Sequence, residues 1–218
     1  MHNSESLVAE LVQAVIDGDS DKSTELTTKL LSQGIQPIKI LNDGLTKGLM
    51  VVGDRFGKGD AFLTDLMTSA EAMKGGLRVV EPELRKSKEE RKYVGSLVIG
   101  TVEGDIHDIG KTIVATMFEV NGFEVYDLGC DVKTESFLKK VEEVKPGLVG
   151  LSALLSTTIV KQAEVIKALN EKKLRSGVKV MVGGAPITPE WAREIGADDC
   201  APDAMAAVVK AKKLTGAS

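Results

Sequence analysis

Leu7, Val8, Leu11, Val12 and Val15 recur at steps of three and four residues, which paints one face of a helix. The stretch DGDS at 17–20 breaks that helix and supplies caps for a second, marked by Leu26, Leu30 and Leu31 and closed by the glycine of SQGI. A third helix is predicted to start near Pro37 and to carry Ile38, Leu41, Leu45, Leu49 and Val52, with GDRFGKGDA at 53–61 as punctuation. A fourth is predicted from about Phe62 to Val80 with Leu66, Met67, Ala70 and Met73 inside; Met67 and Met73 read as core residues. Four helices on short links predict an antiparallel bundle. EPELRKSKEERK at 81–92 is charged and nearly devoid of apolar residues, and reads as a solvated linker.

Beyond residue 92 the period changes. YVGSLVIGTV, FEVYDLG, GLVGLSAL and VKVMVGG are short apolar runs rich in β-branched residues, and a last short strand lies near DDCA. Helical stretches near 110–121, 134–144, 157–174 and 189–195 separate them, and a final helix starts near Asp203. Such alternation predicts a parallel sheet covered on both faces. The expected fold class is α/β: an N-terminal four-helix bundle over 1–90 with its linker, then a flavodoxin-like, Rossmann-type five-stranded parallel sheet over 91–218. The expected strand order is 2-1-3-4-5.

Composition narrows the function. The net charge of -4 argues against a nucleic-acid partner, and 4% aromatics argue against a stacking platform for single strands. No run is long and apolar enough to span a bilayer, and MHNSESLVAE lacks a basic-then-apolar leader, so the expected location is the cytoplasm. Cys130 and Cys200 stand far apart and form no metal-binding or disulfide pattern.

The chemistry lies in the loops after strands one, three and four: EGDIHDIG, SALLSTT and GGAP. A doubly wound sheet brings all three to its carboxyl edge, where ligands bind. His107 is one of only two histidines, the other being His2. EGDIHDIG lacks the lysine and the glycines of a phosphate loop. Asp105, His107 and Asp108 together are a candidate direct metal set. Alone, each loop also has a plain structural reading as a turn or a helix cap.

Taken together, Asp105-x-His107-x-x-Gly110, Ser152-x-Leu154 and Gly183-Gly184 resemble the signature of the B12-binding module of methionine synthase and of corrinoid methyl-carrier proteins. The helical half and the length resemble the free-standing corrinoid proteins of methylamine, methanol and methoxy-aromatic methyltransferase systems. Phe62-Leu63-Thr64 stands where that family often has a Phe-Leu-Pro step. The resemblance implies cobalamin, cycling between its methylated and Co(I) forms, with His107 as lower cobalt ligand, Asp105 behind it and Thr158 extending the relay. It implies that Gly104 and Gly110 let the backbone pass close to the corrin, and that Gly183 and Gly184 make room for the nucleotide tail beside Ser152 and Leu154. Ile106, Asp108 and Ser156 complete the expected contacts, and Phe62, Leu63, Met67 and Ala70 are expected to cover the upper face. The implied function is a non-catalytic methyl shuttle. A substrate-specific methyltransferase for a methylated amine or an O-methyl donor loads it, a second methyltransferase unloads it to tetrahydrofolate or a thiol, and a reductive activator restores it. The alternatives are the cobalamin subunit of a radical mutase, a B12-binding sensor, and a cofactor-free receiver-like domain.

Overall fold

The computed structural model describes residues 2–87 and 93–216. The chain divides into two compact units, Met1–Lys92 and Tyr93–Ser218.

The first unit is helical. Its elements are α1 (His2–Ile16), α2 (Ser20–Ser32), α3 (Pro37–Lys39), a π-helical segment (Ile40–Thr46), α4 (Lys47–Lys58) and α5 (Leu63–Ser87). The third rod runs without a break from Pro37 to Lys58, six residues past Val52, and ends on Gly59 at φ 80°. GDRFGK is therefore helix rather than punctuation. Its buried residues come in adjacent pairs: Ile40 and Leu41, Gly44 and Leu45, Gly48 and Leu49, Val52 and Gly53. That repeat is four residues, whereas an α-helix repeats every ~3.6, so the buried stripe would drift by about 40° at each step. The wider π segment turns the stripe back and keeps it on the core side.

Glycines set how closely these helices approach. A Cβ on Gly44 would lie 2.6 Å from Leu11 Cδ2, and one on Gly48 would lie 2.6 Å from Val15 Cβ. A Cβ on Gly76 of α5 would lie 2.5 Å from Leu45 Cδ2.

The linker expected over 81–92 is corrected in its first half. Residues 81–87 continue α5 despite Pro82, because Val80 and Leu84 are buried in the unit and the two glutamates, the arginine and the lysine of this stretch are good helix formers. Residues 88–92 lie outside the described residues. α5 starts at Leu63 without a proline. The Asp65 carboxylate accepts the Phe62 N–H at 2.8 Å, which supplies the reciprocal half of a capping box. No described helix is long and apolar enough to cross a membrane.

The second unit alternates β1 (Gly95–Thr101), α6 (Ile109–Val120), β2 (Phe123–Asp127), α7 (Thr134–Val144), β3 (Leu148–Ser152), α8 (Val160–Glu171), a 3₁₀ turn (Arg175–Gly177), β4 (Lys179–Gly183), α9 (Pro189–Glu194), β5 (Asp199–Cys200) and α10 (Ala204–Thr215). The five strands are parallel in the order β2-β1-β3-β4-β5, as the alternation predicted. Val98, Val149, Leu151, Val180 and Val182 pack on α7, α8 and α9 through Phe137, Val141, Val165, Ile166, Leu169 and Ala192. Side chains alternate across a strand. Ile99, Thr101, Gly150, Ser152, Met181 and Gly183 therefore belong to the other face, which α6 and α10 cover. The register places Thr101, Ser152 and Gly183 side by side at the carboxyl edge of that face.

Gly48→Ala should destabilise the protein by about 1–3 kcal/mol, because Val15 and the Val12 carbonyl leave no room for a methyl group. Urea unfolding followed by circular dichroism reads the loss; an unchanged midpoint would show that α1 and α4 do not meet at this glycine.

Candidate functional site

β1 ends in a tight turn. The Asp105 N–H donates to the Val102 carbonyl at 3.1 Å, and Gly104, the third residue of that turn, has φ +81°. A side chain rarely adopts that conformation, so Gly104 serves the turn itself. Asp105 then folds back on His107. Its Oδ1 accepts the His107 main-chain N–H at 3.1 Å and lies 2.7 Å from Nδ1 of the ring. One oxygen thus holds both the backbone and the imidazole.

The other oxygen belongs to a different loop. Oδ2 accepts the Thr158 hydroxyl at 2.7 Å, the Leu154 N–H at 2.7 Å and the Leu155 N–H at 3.3 Å. Asp105 is fully buried. Burial raises its pKa, but the bonds from Thr158, Leu154 and His107 outweigh that and hold the carboxyl well below the usual carboxylate range. An ionised carboxylate only accepts, so Nδ1 of His107 carries a proton and the neutral ring keeps its lone pair on Nε2. The His107 side chain is 47% exposed. The result is a half-exposed imidazole with a fixed tautomer, the form in which histidines bind metals.

Asp105 is occupied by these donors, so the direct set of Asp105, His107 and Asp108 does not form. Among the described residues no three His, Cys, Asp or Glu side chains are placed to hold a metal ion together. Asp108 instead stands at the N-terminus of α6, where its carbonyl accepts the Thr112 N–H at 2.7 Å. Beside the exposed Asp108, Ser156 and Thr157, the two loops and the helices they enter carry the large exposed apolar side chains Ile106, Ile109, Leu154, Leu155 and Val160. Exposed apolar surface on this scale marks a binding site. These residues fit a corrinoid, a broad ring whose metal accepts an axial nitrogen. Nε2 of His107 would face the cobalt, and the aliphatic side chains would face the ring.

The two glycines of GGAP differ. A Cβ on Gly183 would meet nothing within 4 Å, so open space adjoins the end of β4, next to Ser152. A Cβ on Gly184, at φ +132°, would lie 1.7 Å from the Ala153 carbonyl oxygen. Gly184 is therefore glycine for the protein's own backbone, which corrects the reason expected for it. Gly110 likewise adjoins open space, and Ser156 is exposed on the loop after β3.

In the helical unit Phe62 is 80% exposed and Met67 44% exposed, whereas Met73 and Ala70 are each 4% exposed. Met67 is thus a surface residue and not core, and Ala70 is core and offers no surface. Leu63 is half-buried.

Four contributions were not read from the sequence. Thr101, fully buried, donates its hydroxyl to the His107 carbonyl at 2.9 Å. Lys111, in the first turn of α6, is 4% exposed and pairs with Asp127 at the end of β2. Asp131 accepts from Gly104, and the amides of Leu154 and Leu155 serve Asp105. None of these carried a signal in the sequence, because each depends on a contact that the strand register creates.

Two B12-binding domain models match the chain, one over residues 95–209 and one over residues 7–81. A corrinoid protein of Desulfitobacterium hafniense is 49% identical over 97% of this chain and 98% of its own. The trimethylamine corrinoid protein of Methanosarcina barkeri is 44% identical over 97% and 98%. The methanol:cobalamin methyltransferase complex of the same organism contains a chain that superposes with a TM-score of 0.89 at 29% identity, over 98% of this chain and 81% of that one. The chain belongs to the B12-binding family. Within it, the chain is one of the corrinoid proteins: cobalamin is its cofactor, and it is the carrier component rather than the methyltransferase.

Asp105→Ala should cost on the order of 3 kcal/mol at neutral pH, since buried donors on two loops lose their acceptor together. The carboxyl's folded pKa is lowered, so its contribution is complete above about pH 4 and is lost as the pH falls through the folded value. Denaturant titrations of wild type and variant should converge on acidification; a gap that widens in acid would contradict the ionised state.

Proposed function

We propose that this protein carries a methyl group on a corrinoid held by His107 between a methyltransferase specific for a methylated amine and a second methyltransferase that passes it to a folate or a thiol. The observation that carries this reading is the lone pair of Nε2, fixed by Asp105 and offered beside exposed aliphatic side chains. The amine follows from the 44% identity to a trimethylamine corrinoid protein, against 29% for the chain from the methanol complex. A reductive activator that returns oxidised cobalt to service, and a cytoplasmic location, belong to the same proposal.

When bound, the corrinoid supplies a cobalt that accepts and releases the methyl group. His107 would hold that cobalt through Nε2. Asp105 keeps Nδ1 protonated and the ring in place, and would leave Nε2 as the nitrogen that meets the metal. Thr158 and the amides of Leu154 and Leu155 keep Asp105 from turning toward the metal. Ser152, with Gly183 beside it, would receive the nucleotide tail, and Leu154 and Ile106 would meet the ring.

Gly183→Val should lower cofactor uptake at least about tenfold while the ligand-free protein keeps its unfolding midpoint, because the side chain fills open space rather than a packed core. Uptake at wild-type stoichiometry and affinity would place the tail elsewhere.

The carrier role itself is tested with protein loaded with cobalamin and ¹⁵N-labelled. Electron paramagnetic resonance of the Co(II) form should show coupling to a protein nitrogen, absent in His107→Ala. The Co(I) protein should demethylate trimethylamine only once a cognate methyltransferase is added. Saturable demethylation by the isolated chain would make it an enzyme and overturn the carrier reading.

A further inference from the structure

The loop that presents His107 is held from both sides, and only one side involves the Asp105 carboxylate. On the β3 side, Asp105 reaches the segment 154–158. On the β2 side, the holding residue is Asp131, in the loop between β2 and α7. Its Oδ1 accepts the Gly104 N–H at 2.7 Å, and its own N–H donates to the Asp105 carbonyl at 2.9 Å. A single residue therefore grips two consecutive residues of the histidine loop, one with its side chain and one with its backbone.

The backbone of Asp131 is shaped for this grip. Its φ is 51°, in the left-handed region that few side chains enter, and aspartate and asparagine enter most readily after glycine. Gly104 opposite has φ +81°. The neighbours hold the two loops in line: Val102 and Val132 form a parallel bridge, and the Val132 N–H donates to the Thr101 carbonyl at 3.0 Å. Asp131 faces Gly104 rather than the imidazole, so it does not touch the metal-binding atom.

We propose that Asp131 is a positioning residue for the cobalt ligand: by clamping Gly104 and Asp105 it sets where Asp105 leaves the backbone, and so where His107 stands. The inference rests on the corrinoid reading of His107 for its consequence, but not for its geometry. A loop free on the β2 side lets the Asp105 backbone rotate about its carboxylate anchor, and the imidazole moves with it. Ligation then becomes a mixture of histidine-bound and histidine-free cobalt.

Two variants separate the acceptor from the backbone strain. Asp131→Gly keeps the left-handed conformation and removes the acceptor, whereas Asp131→Asn keeps both. In the ligand-free protein, the Gly104 amide should exchange with solvent about three to ten times faster in Asp131→Gly than in wild type, the scale of one lost hydrogen bond, and at the wild-type rate in Asp131→Asn. In the cobalamin-loaded Co(II) protein, the ratio of histidine-free to histidine-bound signal should rise by a similar factor in Asp131→Gly, with Asp131→Asn restoring it. Unchanged Gly104 exchange, or exchange raised equally in both variants, would refute the clamp. Faster exchange with an unchanged Co(II) spectrum would refute the positioning role. A wild-type spectrum without protein-nitrogen coupling, beside the predicted exchange, would refute the cobalt reading and leave Asp131 as a loop clamp alone.

Discussion

The buried carboxylate of Asp105 is the constraint on which the site depends. It is fully enclosed, and an enclosed charge is tolerated only when its lone pairs are taken up. The donors that take them up come from two loops about fifty residues apart in sequence: His107 on its own loop, and Leu154, Leu155 and Thr158 on the next. Fold and site are thus joined at one group. The loops after β1 and β3 cannot separate without leaving a buried charge unpaired, and while they stay together the imidazole has one tautomer and one available nitrogen.

Apolar side chains accompany this polar centre at the edge. A carrier needs a ligand for its cofactor and a surface that fits it. The aliphatic residues Ile106, Ile109, Leu154, Leu155 and Val160 supply the surface, at a cost in exposed apolar area that a covering ligand removes. Thr101 and the Lys111–Asp127 pair brace the loop at its exit. Lysine near the start of a helix opposes the helix dipole. Its burial beside Asp127 shows that the ion pair prevails there.

In the helical unit the governing constraint is steric. Gly44, Gly48 and Gly76 each stand where a methyl group would strike a neighbouring helix. Close approach demands that the glycines face inward together, at a spacing of four residues that a regular α-helix cannot hold for long. The π segment at Ile40–Thr46 reconciles the two. The spacing was visible in Leu41, Leu45 and Leu49; the change of helix type was not, because the same residues suit an α-helix over so short a run.

The sequence by itself determined the alternation of strand and helix, the parallel order of the sheet and the edge at which His107, Ser152 and Gly183 meet. Strand periodicity and right-handed crossovers leave few other arrangements. The pairing of Asp105 with His107 was implied by the resemblance, as a carboxylate two residues from a candidate metal ligand. Other features were decided in three dimensions. Met67 is exposed while Met73 is buried, because rotation about the helix axis depends on which neighbours pack against it. Helix α5 continues through Pro82 because Leu84 is buried, a gain that local propensity does not contain. Gly184 belongs to the backbone of Ala153 and Gly183 to open space, although the two are adjacent and identical in sequence. Asp131 reaches Gly104 across 27 residues only because β1 and β2 lie side by side in the sheet. Each of these depends on a contact between segments distant in the chain, and such contacts exist only once the chain has folded.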